Sequence, residues 1–177
     1  YKDEYNRRLM QTVSARVEAV ASGAQRREDY LIAGAAAFLQ ALQERGVRCY
    51  VASGTDDKDV RNEAHALGVD AFFAGIAGAP DHAEGCAKEA ALRMLVETIG
   101  LSGENIAVIG DGKVEIALAR EIGARALGLA TDEARLRGVD AQKRARLIRA
   151  GADAIEGDFL DKNALLSWLG LKEDEKQ

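Results

Sequence analysis

Asp111 and Glu115 are the two residues of this sequence whose type and spacing most readily suggest chemistry. They stand in Ile106-Ala-Val-Ile-Gly-Asp-Gly-Lys-Val-Glu115, where an apolar run ends on a glycine-flanked acid and a second acid follows four residues later. A buried strand that stops at such an acid delivers one carboxylate to the rim of a sheet. If a helix starts there, Glu115 lies one turn along and can face the same point. Two hard oxygen donors at the carboxyl end of a strand suit Mg²⁺, which takes few carboxylates and keeps several waters. Ligands of open α/β sheets bind at that rim. Read alone, the segment is equally compatible with Asp111 capping the following helix.

A second candidate is Cys49-Tyr-Val-Ala-Ser53-Gly54-Thr55-Asp-Asp-Lys-Asp59, which reads as a strand, a turn of small residues and a helix start. The Ser53 hydroxyl and the backbone N–H groups of Gly54 and Thr55 could hold a phosphoryl oxygen at the helix N-terminus. Taken alone, a helix cap by Ser53 or Thr55 is the better reading, with Asp56 and Asp57 favouring the helix dipole. Lys88 opens a mostly apolar helical stretch and could reach a phosphate or a carboxylate, although most lysines so placed are solvated. Gly75-Ile-Ala-Gly78-Ala-Pro80 lacks the Gly-Lys-Ser/Thr of a P-loop, and Gly110-Asp-Gly112 does not extend into a dinucleotide fingerprint. His65 and His82 have no nucleophile beside them and read as exposed, Trp168 as an anchor for the last helix, and Lys143 to Arg149 as a solvated or ion-paired basic face.

The elements that must position these residues follow from periodicity. Leu9, Met10, Val13, Val17 and Val20 recur at helical spacing within residues 3–22, and a second helix is expected over about 32–45, closed by Gly46. Beyond Val47, short apolar runs at 47–52, 71–76, 106–110, 125–130 and 152–156 alternate with helical stretches at about 56–67, 86–99, 114–122 and 139–150. A last helix is expected at 162–169, and Gly68, Gly100, Gly123 and Gly151 fall where helices must end. Strands alternating with helices of this length predict a parallel α/β sheet.

The bulk numbers fit one soluble domain: 177 residues, 47% hydrophobic, 30% charged, one proline. A net charge of −5 argues against nucleic acid or an anionic membrane as partner. Cys49 and Cys86 are far apart and lack metal-ligand spacing, so Cys49, inside an apolar run, reads as a structural thiol. No signal peptide or transmembrane run is visible, so a cytoplasmic location is expected, and the start at Tyr1 leaves room for a longer chain.

The order Ser53, Lys88, Gly110-Asp111-x-x-x-Glu115 is more specific than any of its members, and it resembles the haloacid dehalogenase superfamily of phosphohydrolases. In that family motif II is a Ser or Thr closing a strand, matched by Ser53. Motif III is a Lys at a helix start, matched by Lys88, and motif IV is an acidic pair, matched by Asp111 and Glu115. The stretches YVASGTDDKDVRNEAHALGVDAFFAGIAGA and AVIGDGKVEIALAREIGARALGLATDE resemble the phosphoglycolate-phosphatase-like branch. The ending KRARLIRAGADAIEGDF is similar to a subgroup found alone or joined to sugar kinases, so a sugar kinase is an expected fusion or partner.

The resemblance covers about residues 30–169 and implies a Rossmann-like three-layer α/β/α parallel sheet over 30–170. Residues 1–29 would be a partial N-terminal helical cap and 171–177 a frayed tail. It further implies a Mg²⁺-dependent phosphatase acting through an aspartyl-phosphate on a small phosphorylated metabolite or sugar phosphate. Ser53, Lys88 and Asp111 would be catalytic; Ser53, Gly54, Thr55 and Lys88 would bind substrate; Asp111 and Glu115 would hold the metal.

Two departures stand out. Glu115 replaces the commoner Asp. More important, motif I, an Asp-x-Asp closing the central strand between those carrying Ser53 and Asp111, is absent: Asp56 to Asp59 is misplaced and Gly157-Asp158 follows the last strand. Without that strand two inner edges would be unpaired. The expectation is therefore a longer protein that supplies motif I upstream. The competing reading is a non-catalytic module that binds a phospholigand or a protein partner. A flavodoxin-like domain is a third reading, which leaves Ser53, Lys88 and Glu115 unexplained together.

Overall fold

A computed structural model describes residues 15, 17–79 and 86–171. Most of the expected first helix, together with Pro80, His82 and the tail 172–177, lies outside the described residues; 17–21 are helical. After a 3-10 turn at Arg27–Tyr30 the order is α1 (Ala35–Glu44), β1 (Cys49–Asp56), α2 (Asp57–Ala66), β2 (Phe73–Ala79), α3 (Ala87–Ile99), β3 (Ala107–Gly110), α4 (Lys113–Glu121), β4 (Arg125–Leu129), α5 (Ala141–Ala150), β5 (Ala154–Glu156) and α6 (Lys162–Trp168). Every expected strand and helix from residue 32 onward is present, with ends shifted by a few residues. Gly68, Gly100, Gly123 and Gly151 each carry the left-handed backbone expected after a helix.

All the strand pairs are parallel, but they form two sheets: β1 with β2, and β3-β4-β5 in that order. Alternation along the strands sorts their side chains onto two faces. Val108 and Ala126 join Leu92, Ile116, Ala119 and Leu147 in a core made with α3, α4 and α5. Their neighbours Ile109 and Leu127 point the other way, to Phe38, Leu42, Leu165 and Leu166 of α1 and α6. A third cluster, Val60, Ala64, Val69 and Ile76, seats α2 on the β1–β2 pair. This is a three-layer α/β/α arrangement.

The split between the sheets is the decisive feature. Among the described residues β1 pairs only with β2, and β3 pairs with β4 but not with β1. Between the two free edges lies a slot of about 620 Å³. Tyr50 and Ala52 of β1 form one wall and Val108 and Gly110 of β3 the other, while Leu92 of α3 and Phe38 of α1 close it above and below. Free strand edges bordering an apolar cavity carry backbone donors and acceptors that a strand would satisfy. Both edges run in the same direction, because the carboxyl ends of β1 and β3 meet the start of α3 at one rim, as the site contacts show.

Candidate functional site

Asp111 follows β3 directly, and the cap of α4 is the backbone of Gly112, with no side-chain capping bond. Asp111 therefore does not cap the helix. Its side chain is 52% exposed at the rim. Glu115, one turn into α4, folds back beneath it and keeps only 8% of its side chain exposed. The flanking glycines have a steric reason. A Cβ on Gly110 would lie 2.7 Å from the Glu115 Cβ, and one on Gly112 would lie 2.7 Å from Glu115 Oε2.

Lys88 is the second residue of α3 and points its ammonium at this pair. Its Nζ forms an ion pair with Glu115 Oε1 and lies 3.6 Å from Asp111 Oδ1. Burial works against the Lys88 charge, but the hydrogen bond and charge of Glu115, and then Asp111, outweigh it and hold the ammonium above the ordinary lysine range. Lys88, Asp111 and Glu115 all border the slot.

The Ser53 region is arranged differently from the expectation. β1 continues through Asp56, so Ser53, Gly54 and Thr55 lie within the strand, inside the break in its register with β2 that runs from Ala52 to Asp56. Neither Ser53 nor Thr55 caps α2, whose cap is Asp56. The Ser53 hydroxyl accepts the Thr55 N–H at 3.1 Å. Gly54 brings this turn to the site, since a Cβ there would stand 3.2 Å from the Lys88 Cβ. Among the described residues no hydrogen bond joins Ser53 or Thr55 to Lys88, Asp111 or Glu115. Asp57 anchors the same corner: its carboxylate accepts the Gly78 N–H at 3.0 Å and pairs with Arg61 at 2.6 Å. Those bonds, Arg61 first, hold the Asp57 carboxyl below its usual range.

Two basic residues at the site escaped the sequence reading. Lys143, expected on a solvated or ion-paired face, has a side chain only 16% exposed, with Nζ 2.5 Å from Glu133 Oε1 and 3.9 Å from Asp111 Oδ2. Arg146 donates to the Asp111 carbonyl at 3.2 Å. They sit at i and i+3 on α5, whose first turn opens at the same rim. The signal was their position just after β4, since helices that follow neighbouring parallel strands start at one end of the sheet. By contrast His65 is exposed as expected and pairs with Asp70 at 2.8 Å, Trp168 packs against the α1–α6 core, and the half-buried Cys49 has its thiol pushed up by burial.

The donor set bears on a metal. Asp111 offers a rim carboxylate of the kind a hard divalent cation takes, with Glu115 behind it. Among the described residues no group of three or more His, Cys, Asp or Glu is placed to hold a metal. The residues fit part of a Mg²⁺ shell and need further oxygens. A buried, unbonded Thr131 Oγ1 at the edge of the slot is another unmet demand on the same side. Among the described residues no helix is long and apolar enough to cross a membrane.

Comparison with known proteins bears on the fold and the family. No curated protein matches the chain. Solved structures match its fold. A haloacid dehalogenase-like hydrolase family protein from Streptococcus pneumoniae is 23% identical with a TM-score of 0.60, covering 77% of this chain and 58% of its own. A predicted phosphoglycolate phosphatase from Haemophilus somnus is 23% identical with a TM-score of 0.60, covering 75% and 56%. A hydrolase from Pseudomonas syringae is 27% identical with a TM-score of 0.55, covering 77% and 59%. The matched part thus amounts to less than two thirds of each of these chains. The family model for haloacid dehalogenase-like hydrolases matches residues 3–123, more than half of this sequence. On that match this chain belongs to the haloacid dehalogenase-like hydrolases.

Proposed function

We propose that this chain forms most of the catalytic core of a Mg²⁺-dependent phosphatase acting on a small phosphorylated metabolite or sugar phosphate. The observation that carries the reading is the slot, a strand-shaped gap between parallel edges that ends at Lys88, Asp111 and Glu115. A parallel strand seated there would merge the two sheets and bring its last residues to the rim, where an Asp-x-Asp would complete the carboxylate set.

The first Asp of that strand would attack the phosphorus of a monoester, forming an aspartyl-phosphate as the P–O bond to the alcohol breaks. The second Asp would give the leaving oxygen its proton, then take one from the water that hydrolyses the aspartyl-phosphate. Mg²⁺, held by Asp111 and supported by Glu115, would supply positive charge against the phosphoryl oxygens. Lys88 would stabilise the nucleophile and the transferring group by its charge. The Ser53 hydroxyl would turn from the Thr55 N–H to a phosphoryl oxygen, with the Gly54 N–H beside it. Placement of charge in this way supplies most of the catalysis in phosphoryl transfer.

Hydrolysis of a generic aryl phosphate tests the reading, using the protein that carries a strand for the slot. Turnover that depends on added Mg²⁺ and is lost on chelation is the expected result. Phospholigand binding without turnover would place the chain among non-catalytic modules instead.

A further inference from the structure

Lys143 lies at the meeting point of two recesses: it borders the slot together with Thr131 and Glu133, and the same three residues line a polar depression over α5. Its surroundings are rigidly built. The Asp140 carboxylate caps α5 by accepting the Lys143 N–H at 2.6 Å, and the Asp140 N–H donates to the Ala130 carbonyl at 2.7 Å. The intervening loop is tied by Asp132 N–H to the Gly138 carbonyl at 3.0 Å and by Gly138 N–H to Asp158 at 2.8 Å. Lys143 and Glu133 are therefore both presented from fixed backbone. The side chain, at 16% exposure, has already given up its freedom to sit between two acids.

Asp111 consequently has an ammonium on each oxygen, Lys88 at 3.6 Å from Oδ1 and Lys143 at 3.9 Å from Oδ2. Arg146 on its carbonyl adds a third cation. Against these stand Asp111, Glu115 and Glu133, so the cluster is neutral as it stands. A divalent ion entering at Asp111 must displace or tolerate Lys143, because at about 4 Å like charges repel appreciably even in high dielectric.

We propose that Lys143 is a positioning residue, a resident counter-cation that orients Asp111 and keeps its affinity for divalent ions low until further carboxylates arrive with a strand in the slot. The inference rests on Asp111 being the cation ligand. Glu133 is the other half of the device: it draws Lys143 away from Asp111 and gives it a place to go when a metal binds. Cation loading is thereby coupled to completion of the sheet.

Direct titration with Mn²⁺, read by electron paramagnetic resonance of the free ion without substrate, tests this. Lys143→Met should tighten Mn²⁺ binding about fivefold or more, the scale of removing one unit charge near 4 Å in water. Glu133→Gln, which leaves Asp111 as the remaining acid paired with Lys143 among the described residues, should weaken it, and Lys143→Arg should keep wild-type affinity. A purely structural Lys143 would instead lower the melting temperature in Lys143→Met with Mn²⁺ affinity unchanged, which overturns the proposal. So does an absence of Mn²⁺ binding in both wild type and Lys143→Met. Loss of binding in Asp111→Asn checks the underlying ligand assignment separately.

Discussion

The two sheets are built from similar sequence yet are finished to different degrees. β4 sits between two partners, pairs in unbroken register, and buries Ala126 and Leu127 to 0% and 1% exposure. β1 is just as apolar through Tyr50-Val-Ala52, but it has one partner, two register breaks and no fully buried residue. A strand whose composition suits burial on both faces and whose structure leaves one edge open has the character of an inner strand without its neighbour. β1 and β3 each present an edge to the slot, and the strand proposed above would join them there.

The sharpest way to break the comparison is to neutralise, one at a time, the acids that follow β1 and β3 at their shared rim. Asp111→Asn, at the three-stranded sheet, should lower Mg²⁺-dependent kcat about 10³-fold, in the upper range for loss of one preorganised charged contact. Asp57→Asn, at the two-stranded sheet, should leave kcat within a few fold and lower stability, since among the described residues Asp57 binds Gly78 and Arg61 and no member of the site. Steady-state kinetics with an aryl phosphate reads both. If Asp57→Asn were the more damaging to kcat, the site would belong to the other sheet.

Core truncation compares the sheets themselves. Leu127→Ala should cost about 2–5 kcal/mol in denaturant unfolding, the range for a fully buried leucine. Val51→Ala, on half-buried β1, should cost about 1 kcal/mol. Equal losses would mean that β1 is as well finished as β4.

Lys88 bridges the two halves, so its removal sharpens the picture at an intermediate scale. Lys88→Met leaves the 8%-exposed Glu115 side chain without its ion partner. The expected cost is about 2 kcal/mol, below the roughly 3–5 kcal/mol of a fully buried pair because Lys88 keeps partial access to water. The sign with pH follows from the raised folded-state value. The ammonium's contribution is fully present below the ordinary lysine value of 10.5 and is lost as pH rises through the higher folded value. Wild-type stability should therefore fall more steeply than that of Lys88→Met in alkaline unfolding measurements.

The glycines around Asp111 set a last comparison, between two positions that meet one side chain at different points. Gly110→Ala sets a methyl against the Glu115 Cβ, which cannot move without the helix, and should cost about 1–3 kcal/mol. Gly112→Ala meets only the flexible end of the same side chain, so its melting temperature should fall by less.

Much of this was legible in the sequence, and the reasons are physical. Period-two apolar runs, helical spacing and glycines at helix ends carry local information, so the order of strands and helices after residue 32 came through. The absence of an Asp-x-Asp strand foretold the two unpaired edges. What stayed hidden depends on long-range geometry. Glu115 was legible as a second carboxylate facing the Asp111 rim, but its burial was not, since that depends on the room Gly110 and Gly112 leave for it. Lys143 and Arg146 read as a solvated or ion-paired basic face because only the order of the parallel strands, not their own sequence, shows that α5 opens beside Asp111. Ser53 lies within β1 rather than closing it, and its bond to Thr55 N–H is local and draws it no closer to Lys88.

The most direct test of the slot as the seat of a nucleophilic strand is to trap the covalent intermediate during turnover of an aryl phosphate and locate it. Borohydride reduction converts an aspartyl-phosphate to homoserine, which mass spectrometry can place in the sequence. The account predicts homoserine at an aspartate outside residues 1–177, at the end of a strand that pairs with β1 and β3. Homoserine at Asp111, or a stable phosphoserine at Ser53, would contradict it.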